Sequence, residues 1–143
     1  MKSEIKLVMD AVSENEALAR ITAATFLTRL HPTLEEMEDV KTAVSEAVTN
    51  AIIHGLPSDG KVYITCSAER NIFRVTVEDH GVGIENVERA MEPLFTTKPQ
   101  EERSGMGFAF MEAFMDELKV TSAPKQGTVV CMEKAIGFSR YEE

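Results

Sequence analysis

Only two cysteines occur in the chain, Cys66 and Cys131, and they do not form a C-x-x-C pair. That supply excludes the disulfide framework of a small secreted domain. Together with His31, His54 and His80 it gives no metal-ligand spacing, so no zinc site is expected. Both cysteines fall in apolar or alternating runs and are read as buried, reduced thiols. Basic residues are outnumbered, 15 Lys and Arg against 24 Asp and Glu, for a formal net charge of −9. A surface of that sign opposes nonspecific attraction to nucleic acid or an anionic membrane, which leaves protein as the expected class of macromolecular partner. No apolar run reaches the roughly 18 residues that a membrane span requires, and Met1-Lys2-Ser3-Glu4 lacks a signal-peptide pattern, so the expected compartment is the cytoplasm. Proline, glycine and charge are nowhere dense enough to mark a linker, and no internal repeat is visible. One domain over residues 1–143 is expected.

What is present is ordinary for a folded domain, with 43% hydrophobic and 27% charged residues. Glu4 to Met9 alternates, with Ile5, Leu7 and Met9 on one side, and reads as a strand covered on one face. Ser13 with Glu16 suggests a capping box ahead of a helix that His31-Pro32 stops, and Thr33 with Glu36 makes a second box. Met37, Val40, Val44, Ala47, Val48, Ala51 and Ile52 then hold a helical stripe as far as Gly55, read as the helix stop. Val62 to Ser67 and Ile72 to Glu78 alternate around Glu69-Arg70-Asn71 and predict an antiparallel hairpin. A short helix through Val87 and Met91, a polar stretch, a helix over Met106 to Leu118 and strands at 119–122 and 128–133 complete the chain. The order β-α-α-β-β, loop, α-β-β predicts an α/β (α+β) two-layer sandwich, with a mixed, mostly antiparallel sheet and helices on one face.

Three separated elements carry chemistry. Glu46 and Asn50 lie one helical turn apart on one face. An amide oxygen suits Mg²⁺, and a carboxylate one turn away can accept a proton from an attacking hydroxyl near a γ-phosphate. Alone, this spacing is better read as the polar edge of an amphipathic helix. Asp79-His80-Gly81-Val82-Gly83-Ile84 follows a strand; its carboxylate can accept a hydrogen bond from the exocyclic amine of adenine, and Gly81 and Gly83 allow close backbone approach to a flat base. Gly105 and Gly107 open a helix, where backbone N–H groups and the dipole favour phosphate. Between the two glycine pairs, residues of about 85–104 are read as a lid, with Lys98 and Arg103 as candidate phosphate contacts and Thr97 as a polar one. A lone D-x-G-x-G would mean little. The ordered set E-x-x-x-N, D-x-G-x-G, G-x-G points to an adenine-nucleotide site.

These motifs resemble the boxes of the Bergerat-fold ATPase superfamily, which includes DNA gyrase B, heat-shock protein 90, sensor histidine kinases and MutL proteins. Within it, Ser45 to Gly55, Pro93 to Pro99 and Arg103 to Phe108 are similar to the small bacterial serine kinases that act as anti-sigma factors, above all those of sporulation. The resemblance implies ATP or ADP and Mg²⁺ as cofactors, with Glu46 as the base, Asn50 as the magnesium ligand and Asp79 as the adenine reader. Gly81, Gly83, Thr97, Lys98, Arg103, Ser104, Gly105, Met106, Gly107 and Thr128 are the remaining nucleotide contacts it implies. It also implies a homodimer that binds an RNA polymerase sigma factor of the sigma F type and phosphorylates a serine of an anti-anti-sigma factor, with Arg20 contacting either partner in turn. The stress-response kinases of the anti-sigma B type, or a nucleotide-gated binder without catalysis, are the alternatives.

Overall fold

The computed structural model describes residues 2–55, 57–92 and 107–137. Strands β1 (Lys2–Asp10), β2 (Lys61–Glu69), β3 (Ile72–Asp79), β4 (Glu117–Ser122) and β5 (Thr128–Ala135) form one sheet in the order β1-β2-β3-β5-β4. Helices α1 (Asn15–Leu27), α2 (Leu34–Ile53), α3 (Val87–Ala90) and α4 (Gly107–Phe114) complete the described elements, with a 3-10 turn at Thr28–Leu30. The two-layer expectation is met. The sheet is simpler than expected, because all four strand pairings are antiparallel and none is parallel among the described residues.

α2 organises the interior. Its stripe of Val40, Ala43, Val44, Ala47, Val48 and Ala51 is buried, and the small side chains among them let neighbouring elements approach closely. α1 packs along one flank of α2 and α4 along the other. Alternation on the strands sends Val62, Ile64, Cys66, Phe73, Val75, Val77, Val130 and Met132 into the same core. The Phe26 and Phe73 rings, with centroids 6.2 Å apart, join α1 to the central strand. Cys66 lies on this inner face and burial pushes its thiol up to about 12, so it is an inert core residue. Cys131 is also free but only half-buried, since the register that buries Val130 and Met132 turns it to the other face.

One row of residues across the sheet positions everything that follows. Met9 pairs with Val62, Val62 with Asp79, Asp79 with Thr128, and Thr128 with Ser122. Paired residues project to the same face, so this inner row changes from apolar at β1 to polar at β3, β5 and β4. The polar side chains stand at the end of the sheet where α2 terminates and α4 begins.

Local signals succeeded unevenly. Thr33 caps α2 with both halves of a capping box: Glu36 N–H donates to Thr33 Oγ1 at 3.0 Å, and Thr33 N–H donates to Glu36 Oε1 at 2.9 Å. The Ser13 box does not form. Glu14 is the residue before α1 and makes no side-chain cap, while Glu16 is engaged by Arg20, whose Nε donates to its Oε2 at 2.9 Å. The last helix ends at Phe114 rather than Leu118. Met111, Met115 and Leu118 suit a helical period, but Leu118 and Val120 also alternate with exposed Glu117 and Lys119, and pairing with β5 decides for strand.

Thr33→Ala is expected to lower stability by about 1 kcal/mol, whereas Ser13→Ala should stay within about 0.5 kcal/mol of wild type. Urea denaturation of the two variants measures the difference.

Candidate nucleotide site

Glu46 and Asn50 project from the last two turns of α2 toward the start of α4. A methyl group built on Gly107 would stand 3.2 Å from Asn50 Nδ2 and 3.3 Å from Glu46 Oε1. Those side chains therefore occupy the space that a larger residue would claim, and the absence of a side chain at Gly107 is what allows the first backbone N–H groups of α4 to sit beside them. The sequence separated these motifs by a long stretch; the fold joins them. An amide oxygen, a carboxylate and a helix N-terminus side by side form a donor set that fits Mg²⁺ and phosphate.

The second half of the site is built on Asp79. Its carboxylate is buried, with a relative exposure of 4%, and Oδ1 accepts a hydrogen bond of 3.0 Å from Gly81 N–H. Burial raises its pKa to about 6; the Gly81 bond and the charge of His80 oppose that rise without cancelling it. A buried carboxylate at this position is costly on its own and better accommodated when a donor is brought to it.

The chain after α2 is packed directly onto this carboxylate. Gly55 follows the helix cap at His54, and a side chain there would fall 2.8 Å from Asp79 Oδ2. Gly55 does not take the left-handed conformation of a helix-stop glycine; its role is close approach. Its carbonyl accepts from Val82 N–H at 2.8 Å, and a methyl on Gly81 would overlap that same oxygen at 1.7 Å. Gly83, at φ 74°, lies against the carbonyl of Ala123 in the β4–β5 turn. The two glycines of the motif thus hold two different neighbours.

His80 is exposed, as a turn residue would be, yet it is clasped. Nδ1 lies 3.0 Å from Asp59 Oδ2 and Nε2 lies 3.0 Å from Glu78 Oε2. The Tyr63 ring lies beside it, tilted, with centroids 4.7 Å apart, and its hydroxyl donates to Asp59 at 2.6 Å. The bonds to Glu78 and Asp59 hold the imidazole above its usual pKa. Its protonated form consequently adds stability below about pH 6.5, and that contribution is lost as pH rises through the raised folded value.

Thr128, beside Asp79 in the sheet, is buried and its hydroxyl lies 2.8 Å from Ser122 Oγ. The close approach of Gly55 to Asp79, and Ser122 altogether, are not foreseen in the sequence. Ser122 carried a usable signal, since it continues the inward positions of Leu118 and Val120 with a polar residue. Thr97, Lys98, Arg103, Ser104, Gly105 and Met106 lie outside the described residues, as does most of the expected lid. Its first part, 85–92, contains α3, capped by Asn86 Oδ1 accepting from Arg89 N–H at 3.0 Å. Arg20 is placed on α1, tied to Glu16. Among the described residues no group of three or more acidic, histidine or cysteine side chains is arranged to hold a metal. No helix among them is long and apolar enough to cross a membrane.

The raised pKa of Asp79 has a thermodynamic sign. The folded chain holds this proton more tightly than the unfolded chain, so this group makes stability fall as pH rises from about 4 to about 6. At pH 7 the penalty is on the order of 3 kcal/mol. Asp79→Asn keeps an acceptor for Gly81 and removes the charge. It should stabilise the nucleotide-free protein by about 1–3 kcal/mol at pH 7 and by little at pH 4. Denaturation curves of both proteins across this range measure the difference.

Residues 9–134 match the family model of the histidine kinase-like ATPase domain. The chain is 49% identical to the anti-sigma F factor of Bacillus subtilis, 51% to that of Halalkalibacterium halodurans and 52% to that of Anoxybacillus flavithermus. Each match covers 98% of this chain and 97% of the relative. Among solved structures, one of the RsbU and RsbW domains of a Mycobacterium tuberculosis protein superposes with a TM-score of 0.69 at 19% identity, covering 94% of this chain and 32% of that one. The catalytic domain of the histidine kinase ThkA superposes with a TM-score of 0.57 at 18% identity, covering 95% and 96%. The structural matches establish the fold and the sequence matches the finer kinship: this chain belongs to the anti-sigma F factor family, built on the histidine kinase-like ATPase domain.

Proposed function

We propose that this chain binds an RNA polymerase sigma factor of the sigma F type and uses Mg-ATP to phosphorylate a serine of that factor's anti-anti-sigma antagonist. The observation that carries the kinase reading is the convergence of Glu46 and Asn50 on Gly107. A base, an oxygen donor and a helix N-terminus meet there, where a γ-phosphate and an incoming hydroxyl must meet.

Glu46 accepts the proton of the substrate serine as its oxygen forms a bond to the γ-phosphorus and the bond from that phosphorus to the β–γ bridging oxygen breaks. ADP is the leaving group. Asn50 would hold Mg²⁺ through its amide oxygen; the metal, when bound, neutralises phosphate charge. The N–H groups at the start of α4 bind phosphate oxygens. Asp79 accepts from the exocyclic amine of adenine and orients the nucleotide so that its phosphates run toward α4. Thr97, Lys98, Arg103, Ser104, Gly105 and Met106 supply the further nucleotide contacts in this reading, on the strength of their motif.

Arg20 is the proposed partner contact. Exposed Leu18 and Ile21 flank it on α1, and a charged group among exposed apolar side chains suits a protein interface. The pairing with Glu16 holds the guanidinium in place. A homodimer completes the proposal. The −9 net charge agrees with regulation through protein rather than nucleic-acid contacts.

Incubation with γ-labelled Mg-ATP and the cognate anti-anti-sigma protein tests this reading. Acid-stable label on serine is expected. Glu46→Gln should retain nucleotide binding while slowing transfer by about 100-fold or more. Acid-labile label, or wild-type transfer by Glu46→Gln, would contradict it.

A further inference from the structure

Ser122 takes no part in the proposed phosphotransfer, although it ends the polar row that contains Asp79 and Thr128. Its hydroxyl oxygen lies 2.8 Å from three atoms: the backbone nitrogen of Ile84, the carbonyl oxygen of Gly127 and Oγ1 of Thr128. A serine hydroxyl has one proton and two acceptor positions. The Ile84 N–H can only donate to it, and the Gly127 carbonyl can only accept from it. The single Ser122 proton is therefore committed to Gly127, and the Thr128 hydroxyl must donate to Ser122. Thr128 then has lone pairs to offer a ligand but no proton.

We infer that Ser122 is a positioning residue that determines base specificity by fixing the polarity of Thr128. This rests on the proposed adenine site and deepens it. With Thr128 confined to accepting, it and the Asp79 carboxylate beside it both seek donors. An exocyclic amine, with two N–H groups, satisfies such a pocket. A base with a carbonyl at that position presents an acceptor to acceptors and is rejected, because polar groups in the pocket would lose their partners. Ser122 touches neither reacting atoms nor the phosphate cluster.

The β4–β5 turn has an independent attachment to the Asp79 loop, since Lys125 N–H donates to the Val82 carbonyl at 2.6 Å. Loss of the Ser122 hydroxyl consequently leaves the turn docked and frees Thr128 to rotate its proton outward. A structural role would weaken all nucleotides together; the polarity role changes the preference between them.

Equilibrium binding of ATP and of ITP, which has a keto oxygen in place of the amine, tests the inference. Wild type should prefer ATP. Ser122→Ala should lose on the order of tenfold of that preference, mainly through tighter ITP binding, and Ser122→Thr, which restores a hydroxyl, should retain it. Thr128→Val leaves the Ser122 bonds to Ile84 and Gly127 intact. It should also lose preference, and adding it to Ser122→Ala should cause no further loss. Equal weakening of both nucleotides by Ser122→Ala, or full preference in Thr128→Val, would overturn the inference while leaving the adenine site in place. A wild type that binds ATP and ITP equally would overturn the adenine reading and the inference with it.

Discussion

A carboxylate buried at the end of the central strand, with the Gly81 N–H donating to it, is the constraint around which the site is arranged. Asp79 lies at the end of the central strand, 4% exposed, and is raised to about pH 6 by its own burial. Such a group costs the free protein stability and gains from a ligand that supplies N–H donors. The surrounding residues keep it in that condition. Gly55 and Gly81 bring backbone up to it where side chains would intrude, and the clasped His80 holds the turn that follows. Stability lost at Asp79 is compensated by the apolar core beneath α2.

The site has two ends, and α2 connects them. Its buried face packs onto the sheet that carries Asp79, its half-buried edge offers Glu46 and Asn50 to α4, and Gly55, just past its cap, rests on the carboxylate. Under the proposed function, a single 20-residue helix fixes base recognition and phosphate chemistry relative to one another. Rigid support of this kind is what positioning catalysis requires, because small displacements of a base or phosphate ligand reduce transfer sharply.

Much of this was legible in the residues. The α2 stripe, the Thr33 box and the alternating hairpin each follow a single local rule, and the structure obeys them. Glu46, Asn50, Asp79 and Gly107 stand out as candidates because their spacings are short, and the fold brings Glu46 and Asn50 against Gly107. The Ser13 cap failed because Glu16 had a second suitor, Arg20, one turn later. The end of α4 was misplaced because Met111, Met115 and Leu118 satisfy two periods until a neighbouring strand selects one. Gly55 and Ser122 depend on elements far away in sequence, β3 for one and the Asp79 loop for the other. No local pattern records such contacts, although a serine in the inward register of β4 hints at one.

The most direct test of this account is a ¹³C NMR titration of the Asp79 side-chain carboxyl, free and with ADP bound. The account predicts a pKa near 6 in the free protein and a clear fall on binding, because an amine donor favours the charged form. An ordinary value near 4 in the free protein, or one that does not move when ADP binds, would contradict it.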